Sequence, residues 1–293
     1  MKRRKRVTLS AALKFTFVLI TAVVATSYCI TTKSRLFTSK CNNASFPLRR
    51  TGIVDYFENI HNTSQKFHYS CDTCSIVFSS GRLLNSSQGK SIDSNSCVFR
   101  INNAPVKHFE ADVGKRTTIR LVAHSAFNED TLRLLENDPT QIILGIGPKQ
   151  TVYYGDSYVR KQLLKLISKV PNTKAFCIST NGDDMMDSFW LKDSGLQRVK
   201  LTIWLTTGYY TMHVAARICN SMLIYGATTA KYCQTHKNFA PYQYYNFTRT
   251  SDCKFMSQFE RQIRNSHKYF SEKQIFRNWS ECRSIEYAFP TWM

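Results

Sequence analysis

Short apolar runs alternate with amphipathic stretches along most of the chain. Apolar runs of this length are typical of buried strands, and they predict strands at residues 75–78, 98–101, 118–123, 141–145, 175–179, 199–204 and 222–225. Apolar positions at helical spacing predict helices at residues 130–137, 158–168, 209–219, 255–265 and 272–279. Because strands and helices alternate, the pattern predicts an α/β fold, a Rossmann-like α/β/α sandwich with a mainly parallel sheet.

The amino terminus has a different pattern. Residues 7–30 are about 24 mainly apolar positions, enough to cross a hydrocarbon core of roughly 30 Å as a helix. A basic cluster at residues 2–6 precedes this run, and the more positive flank of a membrane span usually stays in the cytosol. We therefore predict a cytoplasmic tail at 1–6, a transmembrane signal anchor at 7–30 and a lumenal remainder. A cleaved signal peptide is the alternative, since residues 25–27 are small.

The lumenal part divides by composition. Residues 31–65 are polar and show one short helical stretch at 54–60, which predicts a lumenal stem. Residues 66–293 contain no linker, repeat or low-complexity run, which indicates a single folded domain. Asn-X-Ser/Thr sequons beyond the apolar run are glycan acceptors in a secretory lumen. The predicted glycosylation sites are Asn43, Asn62, Asn85 and Asn278.

Nine of the ten cysteines lie after the apolar run. Cys71 and Cys74 form a CxxC motif, which in a cytosolic protein indicates a redox or metal site. In an oxidising lumen, separate disulfides are the expected state. Since nine is an odd number, at least one of these thiols is free or joined to another chain.

The chain is strongly basic, with 40 Lys and Arg against 20 Asp and Glu and a formal charge of +20. Such a balance favours an anionic ligand or surface, for example a nucleotide, an acidic sugar, an acidic lipid or a nucleic acid. No zinc-finger, homeodomain or RNA-recognition motif occurs in the sequence, so no nucleic-acid partner is predicted. A basic surface without a specific ligand is the alternative interpretation.

Two turns have the chemistry of anion-binding sites. Ser79, Ser80 and Gly81 follow the first predicted strand, where α/β folds bring backbone N–H groups to a nucleotide phosphate. Residues 206–208, Thr-Thr-Gly, precede a predicted helix, whose free N–H groups and positive dipole end attract anions. A purely structural role, in which a threonine caps the helix, is equally well supported.

Ordered motifs in residues 66–293 resemble those of the animal-type sialyltransferases. Residues 71–120 resemble the large sialylmotif of that family through Cys74, Ser80-Gly81, Ile92-Asp93-Ser94, Arg100-Ile101-Asn102, Ala104-Pro105, the run 109–114 and Thr117-Thr118-Ile119-Arg120. Residues 205–226 resemble the small sialylmotif through Thr206-Thr207-Gly208, Cys219 and Tyr225-Gly226, and residues 241–245 stand where the third motif belongs. His267 and Glu272 give the His-x-x-x-x-Glu spacing of the very small motif.

Finer features are similar to the shorter alpha-N-acetylgalactosaminide alpha-2,6-sialyltransferases. They are the opening Cys71-Asp72-Thr73-Cys74, Cys97, Tyr232-Cys233, Cys253 and the ending 288–292. The resemblance implies a GT-A-like variant of the sandwich in a single-pass type II protein of the Golgi membrane. It implies transfer of sialic acid from CMP-sialic acid, with inversion and without a metal or other cofactor, to the 6-hydroxyl of GalNAc. The implied acceptor is sialyl-Galβ1,3-GalNAc of an O-glycan or a ganglioside, and a homodimer, disulfide-linked or not, stays open.

The resemblance also assigns roles to residues. His267 is the expected catalytic base, and a histidine suits this role because its ordinary pKa of about 6.5 leaves it largely neutral near pH 7. The expected donor-binding residues are Ser79, Ser80, Gly81, Asn102, Thr206, Thr207, Gly208, Gly226 and Gln243. Gln243 departs from the family pattern, which often has histidine there, and Asn246 replaces a frequent acid. These departures keep an alternative open, a weak or inactive relative that binds CMP or sialoglycans at the membrane.

Disulfides and metals are the remaining questions. The family joins its large and small motifs covalently. The expected pairs are Cys74–Cys219 from this resemblance, and Cys233–Cys253 and Cys71–Cys97 as further pairs. Asp183 and Asp184 resemble the acidic pair of metal-dependent glycosyltransferases, but they follow Asn181-Gly182, and a solvated acidic turn is the preferred interpretation.

Overall fold

The computed structural model of the chain describes Cys41 and residues 45–47, 49–138, 140–147 and 156–291. The predicted cytoplasmic tail, the signal anchor and the glycosylation site Asn43 lie outside these residues. Within them, no helix is long and apolar enough to cross a membrane. The chain divides into the compact units Met1–Ala44 and Ser45–Met293, and the second of them carries the α/β fold.

The strands of the described residues form two sheets. They are β1 Ile53–Asn59, β2 Lys66–His68, β3 Cys71–Val77, β4 Cys97–Ile101, β5 Thr117–Ala123, β6 Thr140–Ile146, β7 Lys174–Ile178, β8 Cys219–Tyr225, β9 Pro241–Gln243, β10 Asn246–Ser251 and β11 Ser284–Phe289. The large sheet has the order β11-β8-β3-β4-β5-β6-β7-β1-β2. Its pairs are parallel from β11 to β7, whereas β1 runs antiparallel to both β7 and β2. Strands β9 and β10 form a separate antiparallel pair.

Helices connect most of the parallel strands. They are α1 Gly89–Asp93, α2 Glu110–Val113, α3 Glu129–Asn137, α4 Asp156–Ile167, α5 Thr180–Ser194, α6 Arg198–Leu201, α7 Thr207–Ile218, α8 Ala230–Thr235, α9 Asp252–Arg261 and α10 Tyr269–Ser280. Helix α7 packs against β1, β3, β4, β5 and β8, and nearly all of its side chains are buried. The predicted α/β class with a mainly parallel sheet is confirmed, and the finer three-layer, GT-A-like description stays a prediction.

The strand order places a topological switch point at β3. From β3 the chain proceeds through β4, β5, β6 and β7 on one side, and then returns to the other side of β3 with β8. The chain segments that connect the strands therefore run in opposite directions on the two sides of β3. A crevice opens there, beyond the carboxyl ends of the strands, where α/β proteins bind ligands.

Apolar side chains pack the helices onto this sheet. Val122 of β5 and Ile143 of β6 lie in one buried cluster with Leu163 of α4. Val77 of β3 and Tyr225 of β8 lie in a second cluster, beside the switch point. Full burial of one large aliphatic side chain contributes roughly 1.5–3 kcal/mol, so these clusters fix the strand ends that border the crevice.

The three expected disulfides are present: Cys74–Cys219, Cys71–Cys97 and Cys233–Cys253. The first joins β3 to β8, and the second joins β3 to β4. The two cysteines of the CxxC motif therefore belong to separate disulfides and form neither a redox pair nor a metal site. Cys41 and Cys282 are also disulfide-bonded, and Cys177 is a buried thiol in β7.

The predicted helical stretch at 54–60 is wrong, because these residues belong to β1. Val54 and Tyr56 are buried while Asp55 is exposed, which is the period-two pattern of a strand. Strand β1 pairs with β7, and the second compact unit begins at Ser45. The boundary between stem and catalytic domain after residue 65 stays a prediction.

Two predictions near α5 and α6 also fail. The predicted strand 199–204 is wrong, because α6 is a short helix and Thr202 after it has a left-handed φ of 53°. The acidic turn at Asp183 and Asp184 is wrong, since both residues lie in α5, which begins at the cap residue Ser179. Asp183 is buried and not solvated.

Candidate active site

A cavity of about 370 Å³ lies beyond the carboxyl ends of the parallel strands. Residues that follow β3, β4, β5, β6 and β8 line it: Phe78, Ser79, Ser80, Asn102, His124, Ser125, Gly147 and Gly226. The start of α7 and residues of β9, α9 and α10 complete its wall. The cavity therefore occupies the crevice that the strand order creates, and its volume is that of a small-molecule site.

The predicted base and the predicted donor-binding residues line this cavity, with one exception. They are Ser79, Ser80, Asn102, Thr206, Thr207, Gly208, Gly226, Gln243 and His267. The exception is Gly81, which starts the short 3-10 helix Gly81–Leu83 and is buried. A Cβ at Gly81 would lie 2.4 Å from the carbonyl oxygen of Pro241. This glycine therefore allows close backbone packing, and its contact with the donor stays a prediction.

The amino terminus of α7 forms one wall of the cavity. Thr206 caps the helix, because its hydroxyl oxygen accepts the N–H of Tyr209 at 3.2 Å. The backbone N–H groups of Thr207 and Gly208 make no hydrogen bond within the described residues. The two sequence interpretations of this segment are therefore compatible, since the cap orders a helix end whose first N–H groups remain available to an anion.

Glu272 holds the cap residue in place. Its carboxylate accepts the backbone N–H of Thr206 at 2.9 Å and also the Thr206 hydroxyl. Burial raises the pKa of the Glu272 carboxyl to about 7, although Lys273 and the hydrogen bonds from Thr206 oppose this effect. Glu272 is therefore a positioning residue that supports the cavity wall.

His267 lines the cavity, and its Nδ1 atom lies 2.6 Å from the carbonyl oxygen of Trp204. A carbonyl oxygen only accepts, so Nδ1 carries the proton and Nε2 of the neutral ring is left as the proton acceptor. Burial lowers the pKa of His267, the charge of Lys273 lowers it further, and the Trp204 carbonyl opposes both effects. The ring is thus held in the protonation state and the tautomer that a general base needs.

Asn102 follows β4 with a left-handed φ of 50°. Its Oδ1 atom accepts the N–H of Ala123 at 2.9 Å and the hydroxyl of Thr207 at 3.3 Å. The buried Arg120 donates to the Asn102 backbone carbonyl at 2.9 Å and holds this turn in place. Both side-chain contacts use the oxygen, so within the described part of the chain the amide N–H groups remain available to a ligand.

Two glycines allow Phe78 to pack at the cavity wall. A Cβ at Gly208 would lie 2.5 Å from the Cε1 atom of Phe78. Gly226 has a φ of +75°, and a Cβ there would lie 3.0 Å from the Phe78 carbonyl oxygen. A larger residue at either position would therefore move the end of β3 or the start of α7.

The third motif forms the β9–β10 pair beside the cavity. Gln243 lines the cavity with a neutral side chain. Tyr244 turns inward and donates to the Pro105 carbonyl at 2.6 Å. The Tyr242 hydroxyl lies 3.2 Å from that of Tyr269. The motif therefore positions its members by aromatic packing, and the cavity lacks the histidine that the family often has at position 243.

Several lining residues were not predicted from the sequence: His124, Arg198, Trp204, Tyr210, Tyr242, Asp252, Tyr269 and Lys273. Arg198 forms ion pairs with Asp183 and Asp187, and the Tyr210 hydroxyl donates to Asp183 at 3.0 Å. Asp183 therefore has a guanidinium partner inside the fold. Of these lining residues, Lys273 had a signal in the sequence, because it directly follows Glu272 of the very small motif.

A family profile for glycosyltransferase family 29 (sialyltransferase) matches residues 31–281. A human alpha-N-acetyl-neuraminyl-2,3-beta-galactosyl-1,3-N-acetyl-galactosaminide alpha-2,6-sialyltransferase is 31% identical over 228 residues, which cover 76% of this chain and 75% of that protein. Human alpha-N-acetylgalactosaminide alpha-2,6-sialyltransferase 3 is 30% identical over 240 residues, with 78% and 77% covered. The crystal structure of a mammalian sialyltransferase matches with a TM-score of 0.47 and 18% identity, over 73% of this chain and 68% of that one.

The family profile spans most of the chain, and the human relatives match over three quarters of it. The chain therefore belongs to glycosyltransferase family 29. It is a sialyltransferase, as its motifs predict, and this class implies a CMP-sialic acid donor and a glycan acceptor.

Proposed function

We propose that the chain transfers sialic acid from CMP-sialic acid to the 6-hydroxyl of GalNAc in sialyl-Galβ1,3-GalNAc, carried by an O-glycan or a ganglioside. The observation that supports transfer best is His267, which lies in the cavity with its Nδ1 atom bonded to the Trp204 carbonyl. The linkage is supported by the two human relatives, which are both named alpha-2,6-sialyltransferases.

The proposed reaction is a direct displacement with inversion. The Nε2 atom of His267 takes the proton of the acceptor hydroxyl while the hydroxyl oxygen bonds to the anomeric carbon of sialic acid. The bond from that carbon to the phosphate oxygen breaks, and its electron pair leaves with CMP. The N–H groups of Thr207 and Gly208 stabilise this charge as preorganised donors, and the Asn102 amide donates to the nucleotide. We expect no metal requirement.

In the cell, the proposal places the folded unit in the Golgi lumen behind a type II anchor at residues 7–30. Asn62, Asn85 and Asn278 are exposed, which supports their use as glycosylation sites in that compartment. Asn246 is exposed as well, but it follows the cavity residue Gln243 closely, so we do not propose a glycan there.

One observation favours a second candidate, an inactive relative that binds CMP or sialoglycans. Gln243 lines the cavity where the family often has histidine. A glutamine can accept and donate hydrogen bonds, but it cannot carry a positive charge to a phosphate. A binding protein of this kind would keep its affinity for CMP and lack transfer.

Incubation of the full-length protein with CMP-sialic acid separates the two candidates. The acceptors are a sialyl-Galβ1,3-GalNAc O-glycan, a ganglioside with the same terminus and the asialo form, each with and without EDTA. We expect transfer that survives EDTA, with the new bond at the GalNAc 6-hydroxyl by NMR. His267→Ala should lower kcat by about 100-fold or more, whereas the exposed His61→Ala should not. CMP binding without transfer to any acceptor would sink the proposal.

A further inference from the structure

Residues 196–203 and 261–266 form a rim at one edge of the cavity. Each segment runs directly into a residue that lines the cavity, Trp204 in the first case and His267 in the second. The two segments are joined, because the backbone N–H of Trp204 donates to the Ser266 carbonyl at 3.0 Å. The exposed side chains of these residues, which we call the rim, therefore lie beside the proposed site.

The rim exposes apolar side chains to solvent. Ile263 is 75% exposed, more than any other large apolar side chain of the described residues, and Val199 is 57% exposed. Leu196, which precedes α6, is 39% exposed. One exposed apolar side chain is common on protein surfaces, but several of them beside a site are typical of a contact with another molecule or a membrane.

The turn that carries Ile263 is held in a fixed shape from inside the fold. The ammonium of the buried Lys268 donates to the Glu260 carbonyl at 2.9 Å and also to the Gln262 carbonyl. The Ser266 hydroxyl donates to the same Gln262 carbonyl at 3.1 Å. The buried lysine therefore closes the base of the turn, and an ordered structure presents Ile263 at its exposed tip.

The exposed charges of the rim are all positive. They belong to Lys200, Arg261 and Arg264, and neither segment of the rim contains an aspartate or a glutamate. The acids nearest to the rim in the chain are Asp193 and Glu260, and both are engaged by other residues. Asp193 accepts hydrogen bonds from two hydroxyl groups, and Glu260 accepts a backbone N–H at 2.8 Å and a hydroxyl group at 2.5 Å.

We infer that the rim binds a membrane surface that displays the acceptor, so that the acceptor is a glycolipid. The inference rests on the proposed function and decides between its two carriers. Proteins bind membrane surfaces through apolar side chains that enter the headgroup region and through cations that meet anionic lipids. A membrane that contains the proposed ganglioside carries sialic acid, so its charge is complementary to the rim. An O-glycan on a protein offers the same charge but no apolar layer for Ile263 and Val199.

The proposed anchor would keep the folded unit near such a surface. The roughly 14 residues between the proposed anchor at 7–30 and the compact unit that begins at Ser45 span at most about 50 Å when fully extended. The tether already raises the local concentration of membrane. Weak contacts of the rim are therefore sufficient to turn the cavity toward the lipid headgroups.

Transfer to two forms of one acceptor tests the inference. Full-length protein is reconstituted in phosphatidylcholine vesicles. The acceptor is a ganglioside that ends in sialyl-Galβ1,3-GalNAc, placed in the same vesicles, or the same oligosaccharide without its lipid. We expect Arg261→Gln/Arg264→Gln to lower kcat/KM for the ganglioside by about 10- to 100-fold, and Ile263→Ser to lower it by about 10-fold. Neither variant should change kcat/KM for the oligosaccharide.

The matched controls are Ile53→Ser and Arg49→Gln/Arg133→Gln. All three residues are exposed and lie outside the rim. The backbone N–H of Gly52, next to Ile53, donates to the carbonyl of Arg217, at the end of α7 that is opposite to the cavity. These variants should treat the two acceptors as wild type does.

Hydrogen exchange of the wild-type protein gives a readout that does not depend on transfer. In vesicles that contain the ganglioside, the backbone N–H groups of residues 261–265 should exchange more slowly than in vesicles of phosphatidylcholine alone. The soluble oligosaccharide should not slow them, and the N–H groups around Ile53 should not change. Protection that follows the protein concentration and not the ganglioside would assign the rim to a second copy of the chain and overturn the inference.

Rim variants that are active and treat both acceptors alike also overturn the inference. So does a wild-type protein that uses an O-glycopeptide at least as well as the ganglioside in vesicles. If a rim variant loses activity with both acceptors, the wild-type exchange at residues 261–265 decides, and a lack of protection there overturns the inference. A wild-type protein that transfers to no acceptor rejects the proposed function itself, whereas its hydrogen exchange still tests the contact of the rim with the membrane.

Discussion

The carboxylate of Glu272 accepts two hydrogen bonds from Thr206, one from the backbone N–H at 2.9 Å and one from the hydroxyl. The same hydroxyl oxygen accepts the N–H of Tyr209 and caps α7. One buried acid at the start of α10 therefore orders the helix terminus that faces the cavity. The very small motif therefore contributes twice to the cavity, since His267 lines it as the proposed base and Glu272 holds the start of α7.

Replacement of Glu272 should cost both stability and activity. In Glu272→Ala the partly buried N–H of Thr206 loses its acceptor, which we expect to lower the free energy of unfolding by about 1–3 kcal/mol. The start of α7 should then be less ordered and the KM for CMP-sialic acid higher. Glu272→Gln keeps one acceptor oxygen for the N–H and should show a smaller loss. Denaturant unfolding and donor kinetics check that Glu272→Ala loses more stability and donor affinity than Glu272→Gln. A Glu272→Ala protein as active as wild type would contradict the positioning role of Glu272.

The raised pKa of Glu272 also predicts a pH dependence of stability. Its pKa is about 7 in the folded protein against 4.5 for an ordinary glutamate. Between these values the folded state binds more protons than the unfolded state, so this group favours folding increasingly as the pH falls from about 7 to 4.5. Glu272→Gln lacks this contribution. The stability of wild type minus that of Glu272→Gln, measured as free energy of unfolding, should therefore be larger at pH 5 than at pH 7.5. The same difference taken with the exposed Glu286→Gln should not change between these pH values.

The environment of His267 predicts the acid limit of activity. Burial lowers the pKa of this histidine below its usual 6.5, so the neutral base persists to lower pH than in water. We expect kcat/KM to fall on the acid side with a midpoint below pH 6.5, because this profile reports the free enzyme. Lys273→Met should move the midpoint upward, since the charge of Lys273 lowers the pKa of His267. An acid limb at or above pH 6.5 in wild type would argue against His267 as the base.

The cavity wall that follows β3, β4 and β8 could be predicted from the sequence, because its residues have fixed places relative to recognisable strands. Ser79 and Ser80 follow β3, Asn102 follows β4 and Gly226 follows β8. Each of these strands contains a short apolar run, and parallel strands end at the same edge of a sheet. Recognition of the strands, together with the family resemblance, therefore placed the distant motifs at one edge of the sheet.

The opposite side of the cavity could not be predicted, because it depends on contacts between segments far apart in the chain. A single buried arginine such as Arg198 leaves no repeating pattern in the sequence that would reveal its burial. Its partner Asp183 stands in an Asn-Gly-Asp-Asp run that is typical of a turn.

Strand β1 had a readable signal in the alternation of Val54, Asp55 and Tyr56, but it lies in a polar context. Strand β11 pairs in parallel with β8, and its short run resembles a surface segment.

The close approach of Gly208 to Phe78 predicts a specific loss on adding one methyl group. In Gly208→Ala the new Cβ would lie 2.5 Å from the Phe78 ring, so the start of α7 or the ring must move. Overpacking of this kind costs roughly 1–3 kcal/mol of stability, and the KM for the donor should rise together with it.

Gly195→Ala is the matched control for this change. Gly195 ends α5 with a φ of +72°, and an added Cβ there meets no atom within 4 Å. It should cost about 1–2 kcal/mol of stability through its left-handed backbone and leave the donor KM unchanged. Equal effects of the two variants on the donor KM would show that general destabilisation, and not the helix end, limits binding.

The buried ion pair of Arg82 and Asp252 predicts an asymmetric double-mutant cycle. Arg82→Met leaves the Asp252 carboxylate buried and unpaired, which should lower the free energy of unfolding by about 3–5 kcal/mol. The double variant Arg82→Met/Asp252→Asn has no buried charge at this place and should be more stable than Arg82→Met alone.

Donor binding should also be weaker in Arg82→Met than in the double variant, for an electrostatic reason. Asp252 lines the cavity, so an unpaired carboxylate there would repel an anionic donor. Arg82→Met should therefore raise the KM for CMP-sialic acid, and Asp252→Asn in the double variant should restore it. The exposed pair Lys66–Glu58 provides the control, since Lys66→Met should cost about 0–1 kcal/mol and leave the donor KM as it is. A double variant less stable than Arg82→Met would show that the buried charges stabilise the fold beyond their mutual pairing.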